Sequence, residues 1–221
     1  MTRPTFLRAR RPEHKQQRRA AILDTARELA RASGVRNVSL GAVAEAVGLA
    51  KSNIVRYFGT REEIYLELLT EEWCQWADTV SARLRDAGDT GDAVAALAET
   101  IVARLLFCDL LSQVSTTLER NVSVPAARTF KHAVHDRLAE MGAEVAGATD
   151  LTEREGRELV AAASGLAGML YPAANPSPAL VQVYNEDPEL AASHPELPTT
   201  LIRMLSALAA GLPTLRDERR R

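Results

Sequence analysis

The stretch Ser39-Leu-Gly-Ala-Val-Ala-Glu-Ala-Val-Gly-Leu-Ala-Lys-Ser-Asn-Ile-Val-Arg-Tyr-Phe58 reads as two short helices joined by a tight turn. Ser39 stands where its hydroxyl caps the first helix, and Val43, Ala44 and Val47 recur at three- and four-residue spacing, so they share an inward face. Gly48 falls where that helix must stop, because glycine accepts the left-handed backbone of a helix end, and Leu49 turns back to plug the corner. The second helix is predicted over residues 50–58. Ile54 and Phe58, four apart, point inward on it and leave Lys51, Ser52, Val55 and Arg56 on the other side. A short, polar and cationic face suits a helix whose end enters the major groove of DNA.

Upstream, residues 14–33 are helical, with Ile22, Ala26, Leu29 and Ala30 as the buried stripe, Arg18, Arg19 and Arg27 outside it facing phosphates or solvent, and Gly34 as the stop. Downstream, Gly59 breaks the chain and Thr60-x-x-Glu63 forms a capping box that opens a long helix over residues 60–87. Ile64, Leu68, Trp73, Trp76 and Val80 make its stripe, while Glu62, Glu63, Glu67, Glu71 and Glu72 read as a solvated face.

These motifs carry a family resemblance. Residues 15–70 resemble the DNA-binding domain of the TetR/AcrR family of transcriptional repressors: a first helix ending in Ser-Gly, then Ser-Leu-x-x-Val-Ala, Gly-Leu, a short helix closing in Arg-Tyr-Phe, and Thr-Arg-Glu-Glu-Ile. The resemblance implies that Lys51, Ser52, Asn53 and Val55 face bases, that Arg56, Tyr57, Thr60 and Arg61 grip phosphate, and that Ser39 belongs to the same DNA-facing set. The chemistry agrees, since Asn pairs with adenine, Lys reaches guanine and Val packs on a thymine methyl, whereas Arg and Tyr hold register without reading sequence. Tyr57 has a second reading, as an aromatic packed on the first helix. Val55 stands where the family usually has an aromatic residue, and Gly41 where many members have a longer side chain.

The 221 residues accommodate two domains, and the alanine-rich, aromatic-poor composition (5% Phe, Trp and Tyr) favours an all-α fold. We divide the chain into a flexible basic arm (1–13), a three-helix helix-turn-helix domain (14–70, with the pair at 39–58), and a helical-bundle ligand-binding and dimerisation domain (71–221). Charge follows the division. Residues 1–60 carry 12 Lys/Arg against 4 Asp/Glu, a net of +8, and residues 61–221 carry 15 against 25, a net of −10. A basic head on an acidic body fits a nucleic-acid reader with a separate second domain. Cys74 and Cys108 form no Cys-x-x-Cys pair and are expected as reduced thiols in a cytoplasmic protein. The N-terminal sequence has no signal-peptide core, and no apolar run is long enough for a membrane span.

The body reads as a series of helices. Residues 86–92 form a turn, 93–106 a helix continuing through 107–120, and Ser123-Val-Pro125 starts another to about residue 145. Thr152-x-x-Glu155 opens a helix to residue 174, Ser177-Pro178 a short one to residue 184, and residues 199–210 form the last, with an irregular segment before it and a frayed tail after it. The resemblance implies a homodimer through the last two long helices, for which Ala161, Gly165, Gly168, Leu201, Leu205 and Leu208 are the candidates. Their apolar faces read equally as intramolecular core. Two heads reading half-sites about 34–36 Å apart, or a multiple of it, imply a palindromic double-stranded DNA operator.

The resemblance further implies a body that binds a small-molecule effector and thereby re-spaces the heads. Pocket candidates are Trp76, Leu111, Val114, Phe130, Val134, Met169 and Tyr171, each also explained by core packing. Ser115, Thr116, Thr117, Glu119 and Asn121 form a polar run that either orients a ligand or lies exposed at a helix end. His132 and His135 with Asp136 lack a third ligand of metal-site spacing, so no metal is expected, nor any cofactor. No catalytic constellation presents itself. The reading is a ligand-released, dimeric repressor; the alternative is a DNA-binding regulator whose body docks a protein.

Overall fold

The computed structural model describes residues 10–220, with side chains described for residues 14–216, and no strand occurs among them. The head comprises α1 (Arg10–Ser33), a 3-10 turn (Val35–Asn37), α2 (Leu40–Ala46) and α3 (Lys51–Ile54). The body follows as α4 (Arg61–Leu84), α5 (Thr90–Val102), α6 (Leu105–Gln113), a π-helical turn (Val114–Leu118), α7 (Val124–Ala148), α8 (Glu153–Ala174), α9 (Pro178–Glu186), α10 (Pro188–Ala192) and α11 (Leu197–Gly211).

The caps follow the sequence closely. Gly34 and Gly48 have φ of 83° and 68°, the left-handed backbone that only glycine adopts without strain. The Ser39 hydroxyl accepts the Ala42 N–H at 3.1 Å, and Thr152 with Glu155 closes a complete capping box. At Thr60 only half the box forms. Its hydroxyl accepts the Glu63 N–H, but the Glu63 carboxylate reaches Gly59 N–H at 2.8 Å and Ser123 N–H at 3.0 Å, joining α4 to the start of α7.

Several expectations are corrected. Residues 1–9 of the expected arm lie outside the described residues, and α1 begins at Arg10, not at His14. The second helix of the pair is regular only over Lys51–Ile54. It then tightens, with Tyr57 N–H on the Ile54 carbonyl at 2.8 Å. The helix expected to run from residue 93 towards 120 breaks at Ala103–Arg104, where Arg104 takes φ −109° and ψ 72° and reaches back to Glu72 and Gln75 on α4. The break is a tertiary effect with no Gly or Pro to announce it. The segment expected to be irregular contains α10, and the expected frayed tail folds back, so that Arg216 pairs with Glu155 on α8.

α4, α5, α6, α7, α8 and α11 bury one apolar core, centred on Trp73, Trp76 and Phe107 at 5.3–5.6 Å between ring centroids. Glycine sets the closest helix approaches. A Cβ on Gly156 would lie 2.3 Å from the Gly142 carbonyl oxygen, and one on Gly168 would lie 2.9 Å from the Leu111 carbonyl carbon, so α8 meets α7 and α6 almost backbone to backbone. α9 and α10 bury no residue.

Candidate functional site

The second helix of the pair presents Lys51, Ser52, Asn53, Val55 and Arg56 to solvent, with Val55 at 47% exposure, while Ile54 and Phe58 are buried beneath it. Ser39 is exposed at the start of α2. A cation anchors the far end of this face: Arg19 of α1 lies 4.0 Å over the Phe58 ring, donates to the Tyr57 carbonyl at 2.6 Å and pairs with Glu67. The cationic side of the face extends onto α1. Lys15 and Arg18 line a notch of about 420 Å³ together with Leu49, Asn53, Arg56 and Tyr57. Arg18 is among the α1 arginines expected to face phosphates or solvent; Lys15 is not singled out in sequence, although its position three residues before Arg18 on the outer face of α1 is the available signal. Tyr57 is half-buried against the core and edges the same notch.

Two residues expected on phosphate are occupied elsewhere. Thr60 gives its only hydroxyl hydrogen to the Asn121 carbonyl at 2.7 Å. Arg61, 15% exposed, donates to the carbonyls of Val35 and Val38, meets Glu62 at 3.2 Å and lies 4.5 Å over the Tyr65 ring. It rivets the 3-10 turn of the head to α4. The supposed solvated glutamates of α4 are also used: Glu67 pairs with Arg19, Glu71 with Arg27, and Glu62 and Glu72 are buried. Arg19 and Arg27 therefore hold α1 to α4 instead of facing phosphates or solvent.

The same junction carries polar links between head and body. Asp109 of α6 accepts the Val35 N–H at 2.7 Å and the Gln113 amide at 3.1 Å. The Tyr65 hydroxyl is buried with no hydrogen-bond partner; burial pushes it up to about 12, with the charges of Arg61 and Asp109 acting on it in opposite directions. Between head and body opens a cleft of about 620 Å³, walled by Arg36 on the head and by Arg61, Asp109, Thr116, Thr117 and Tyr171 on the body. A second cleft of about 520 Å³ lies beside it and shares Asp109 and Tyr171.

The pocket candidates do not converge. Trp76 is fully buried and donates its indole N–H to Thr100 at 2.9 Å, Phe130 is buried, and Leu111 packs against Gly168. Val114 is half-buried at the start of the π-helical turn, Val134 edges a shallow groove on α7 with His132 and His135, and Met169 is 59% exposed. Only Tyr171 reaches the head–body cleft, where Thr116 and Thr117 of the polar run join it.

The dimer candidates divide as well. Leu201 and Leu205 are fully buried within the chain and Gly168 is closed against Leu111, so these three are internal packing residues; Leu208 is half-buried. Ala161 and Gly165 remain exposed on α8, in line with Met169, and Met204 is 40% exposed on α11.

Comparison with known proteins agrees with this geometry. Residues 22–68 match the family described as bacterial regulatory proteins, tetR family, and residues 70–216 match the tetracyclin repressor-like C-terminal domain. No curated protein matches the chain in sequence. Among solved structures, the fatty acid degradation regulator FadR from Bacillus halodurans is similar at 15% identity and a TM-score of 0.56, covering 88% of this chain and 96% of that one. FadR from Thermus thermophilus in complex with lauroyl-CoA is similar at 16% and 0.55, covering 87% and 93%. RolR in complex with resorcinol is similar at 15% and 0.54, covering 90% and 95%. At such identities these likenesses show the fold. The two matched regions together span both head and body, and with them the chain belongs to the TetR family of transcriptional regulators.

Proposed function

We propose that this regulator is a dimeric repressor that holds a palindromic operator and releases it when a small molecule binds the body. The observation that carries the reading is the exposed Lys51–Arg56 face on a head that is fastened, by Asp109, Arg61 and Thr60, to a helical body. Lys51, Ser52, Asn53 and Val55 read base edges, and Arg56, Tyr57, Lys15 and Arg18 hold phosphates. One such face covers only a few base pairs, so selectivity requires two heads. The exposed Ala161, Gly165 and Met169 line on α8 and Met204 on α11 supply the dimer face. The structural relatives solved with lauroyl-CoA and with resorcinol support a ligand-responsive body. No helix among the described residues is long and apolar enough to cross a membrane, which accords with a cytoplasmic protein at its DNA.

A ligand acts only if it binds one head spacing better than the other, because equal affinity shifts nothing. The test is selection of bound sequences from a random double-stranded DNA pool, with the protein and with a Lys51→Ala/Arg56→Ala variant. An enriched palindrome lost in the variant supports the reading. Binding without enrichment that only fades with salt defeats it. A body that docks a protein instead is favoured by one feature, the exposed Leu180, Val181, Val183 and Leu190 of α9 and α10.

A further inference from the structure

We infer that the head–body cleft is the effector site and that it takes a small hydroxylated ring carboxylate. This deepens the repressor reading above and rests on it.

The cleft has an unequal polar wall. On the head, Arg36 is exposed, and no carboxylate or carbonyl partners its guanidinium among the described residues. It is the group free to pair with an anion, since Arg61 beside it is engaged by Val35, Val38 and Glu62. On the body, Asp109 uses one oxygen for Val35 and one for Gln113, and a carboxylate has about four acceptor positions, so it retains capacity for a hydroxyl donor. The two charges fix a ligand's orientation: a carboxylate is drawn to Arg36 and repelled by Asp109, while a hydroxyl at the opposite end donates to Asp109. Tyr171 and Pro172 offer the carbon-rich part of the lining, on which a flat ring can pack. The other residues that line this cleft are polar.

Two further observations mark the place. α6 ends in a π-helical turn, with the Glu119 N–H on the Val114 carbonyl at 3.0 Å, and that turn carries Thr116 and Thr117 into the cleft wall. π-helical turns recur at functional sites because the extra residue re-aims side chains at a cost in regular bonding. The Tyr65 hydroxyl, buried and unpartnered, has two of the cleft's lining residues, Arg61 and Asp109, as its charged influences.

The position also explains transmission. Arg36 sits in the head's 3-10 turn beside Val35, which Asp109 and Arg61 already hold, so a ligand joining Arg36 to the body adds a further tie to the same turn. Its affinity therefore depends on where the head stands, the condition for shifting a population.

The test is calorimetric titration of the full chain, without DNA, using 4-hydroxybenzoate, with 4-hydroxybenzamide and benzoate as comparators. We expect 4-hydroxybenzoate to bind, each comparator to bind about tenfold more weakly or worse, and Arg36→Gln to weaken 4-hydroxybenzoate by at least about tenfold while Arg36→Lys retains part of the affinity. Arg36 is exposed, so these variants fold. Absence of 4-hydroxybenzoate binding at millimolar concentration, or equal binding by Arg36→Gln, overturns the site. Because no DNA is present, that failure is distinct from a failed operator selection, which would defeat the repressor reading alone.

Discussion

The Asp109 carboxylate of α6 accepts the backbone N–H of Val35 at 2.7 Å, so a residue of the body holds the turn from which the DNA-facing helix pair begins. A charge-assisted bond of this kind contributes about 1.5–3 kcal/mol, and its loss leaves a backbone donor without a partner. Asp109→Ala is expected to lower stability by that order in urea denaturation and to speed hydrogen exchange at the Val35 amide more than at Val43 in the head core. Equal protection in the variant would show that another group holds the turn.

The DNA face and the rivet beneath it separate in mutagenesis. Lys51 and Arg56 are exposed, so Lys51→Ala and Arg56→Ala are expected to weaken operator binding by about 1–3 kcal/mol each with the melting temperature unchanged. Arg61→Ala removes donors to the Val35 and Val38 carbonyls, and is expected to destabilise the fold by roughly 1.5–3 kcal/mol. Binding at varied salt together with thermal melts distinguishes the two effects.

The glycines of α8 are not equivalent. A Cβ at Gly156 or Gly168 meets backbone of α7 or α6 at 2.3 and 2.9 Å, so Gly156→Ala and Gly168→Ala are expected to cost about 1–3 kcal/mol or more through forced helix separation. Gly165 has open space around it in the single chain, and Gly165→Ala is expected to leave the stability of the protomer unchanged or slightly raised. Chemical denaturation of the three variants checks the ranking.

The exposed line of α8 is the place to break the proposed dimer. Met169→Glu puts a charge on a side chain that is 59% exposed in the single chain, so the protomer is expected to fold as before, with helical circular dichroism intact. Sedimentation should then show a monomer at micromolar concentration where the parent sediments as a dimer.

The C-terminal segment has a pH signature. The Arg216 guanidinium, aided by the Thr152 backbone and hydroxyl, holds Glu155 at about 2, well below the ordinary glutamate range. A depressed carboxylate stabilises the fold fully above its unfolded pKa, and that stabilisation is lost as pH falls towards the folded value, here between about pH 4.3 and 2. Arg216→Ala is expected to lower the melting temperature at pH 7, with the difference from the parent narrowing as pH is brought down to about 3. A constant difference would mean that Arg216 acts by packing alone.

Sequence by itself determined the local features of this chain. Ser39, Gly48, Thr152 and the 3.6-residue stripes announced the caps, stops and inward faces, because capping and helical periodicity depend on residues only a few positions apart. The order of motifs from Ser33-Gly34 to Ile64 was enough to place the family. Tertiary structure alone decided the destinations of long polar side chains and of apolar faces with two possible partners. Arg61 and Thr60 look like phosphate ligands in sequence, yet carbonyls 23 to 61 residues away claim them; Leu201 and Leu205 look like a dimer seam, yet they close the core of their own chain. The break at Arg104, the π-helical turn, the return of Arg216 to Glu155 and the cleft at Arg36 and Asp109 all depend on contacts between distant segments. An arginine or leucine carries its chemistry in the sequence, but which of several partners satisfies it is settled only when the helices pack.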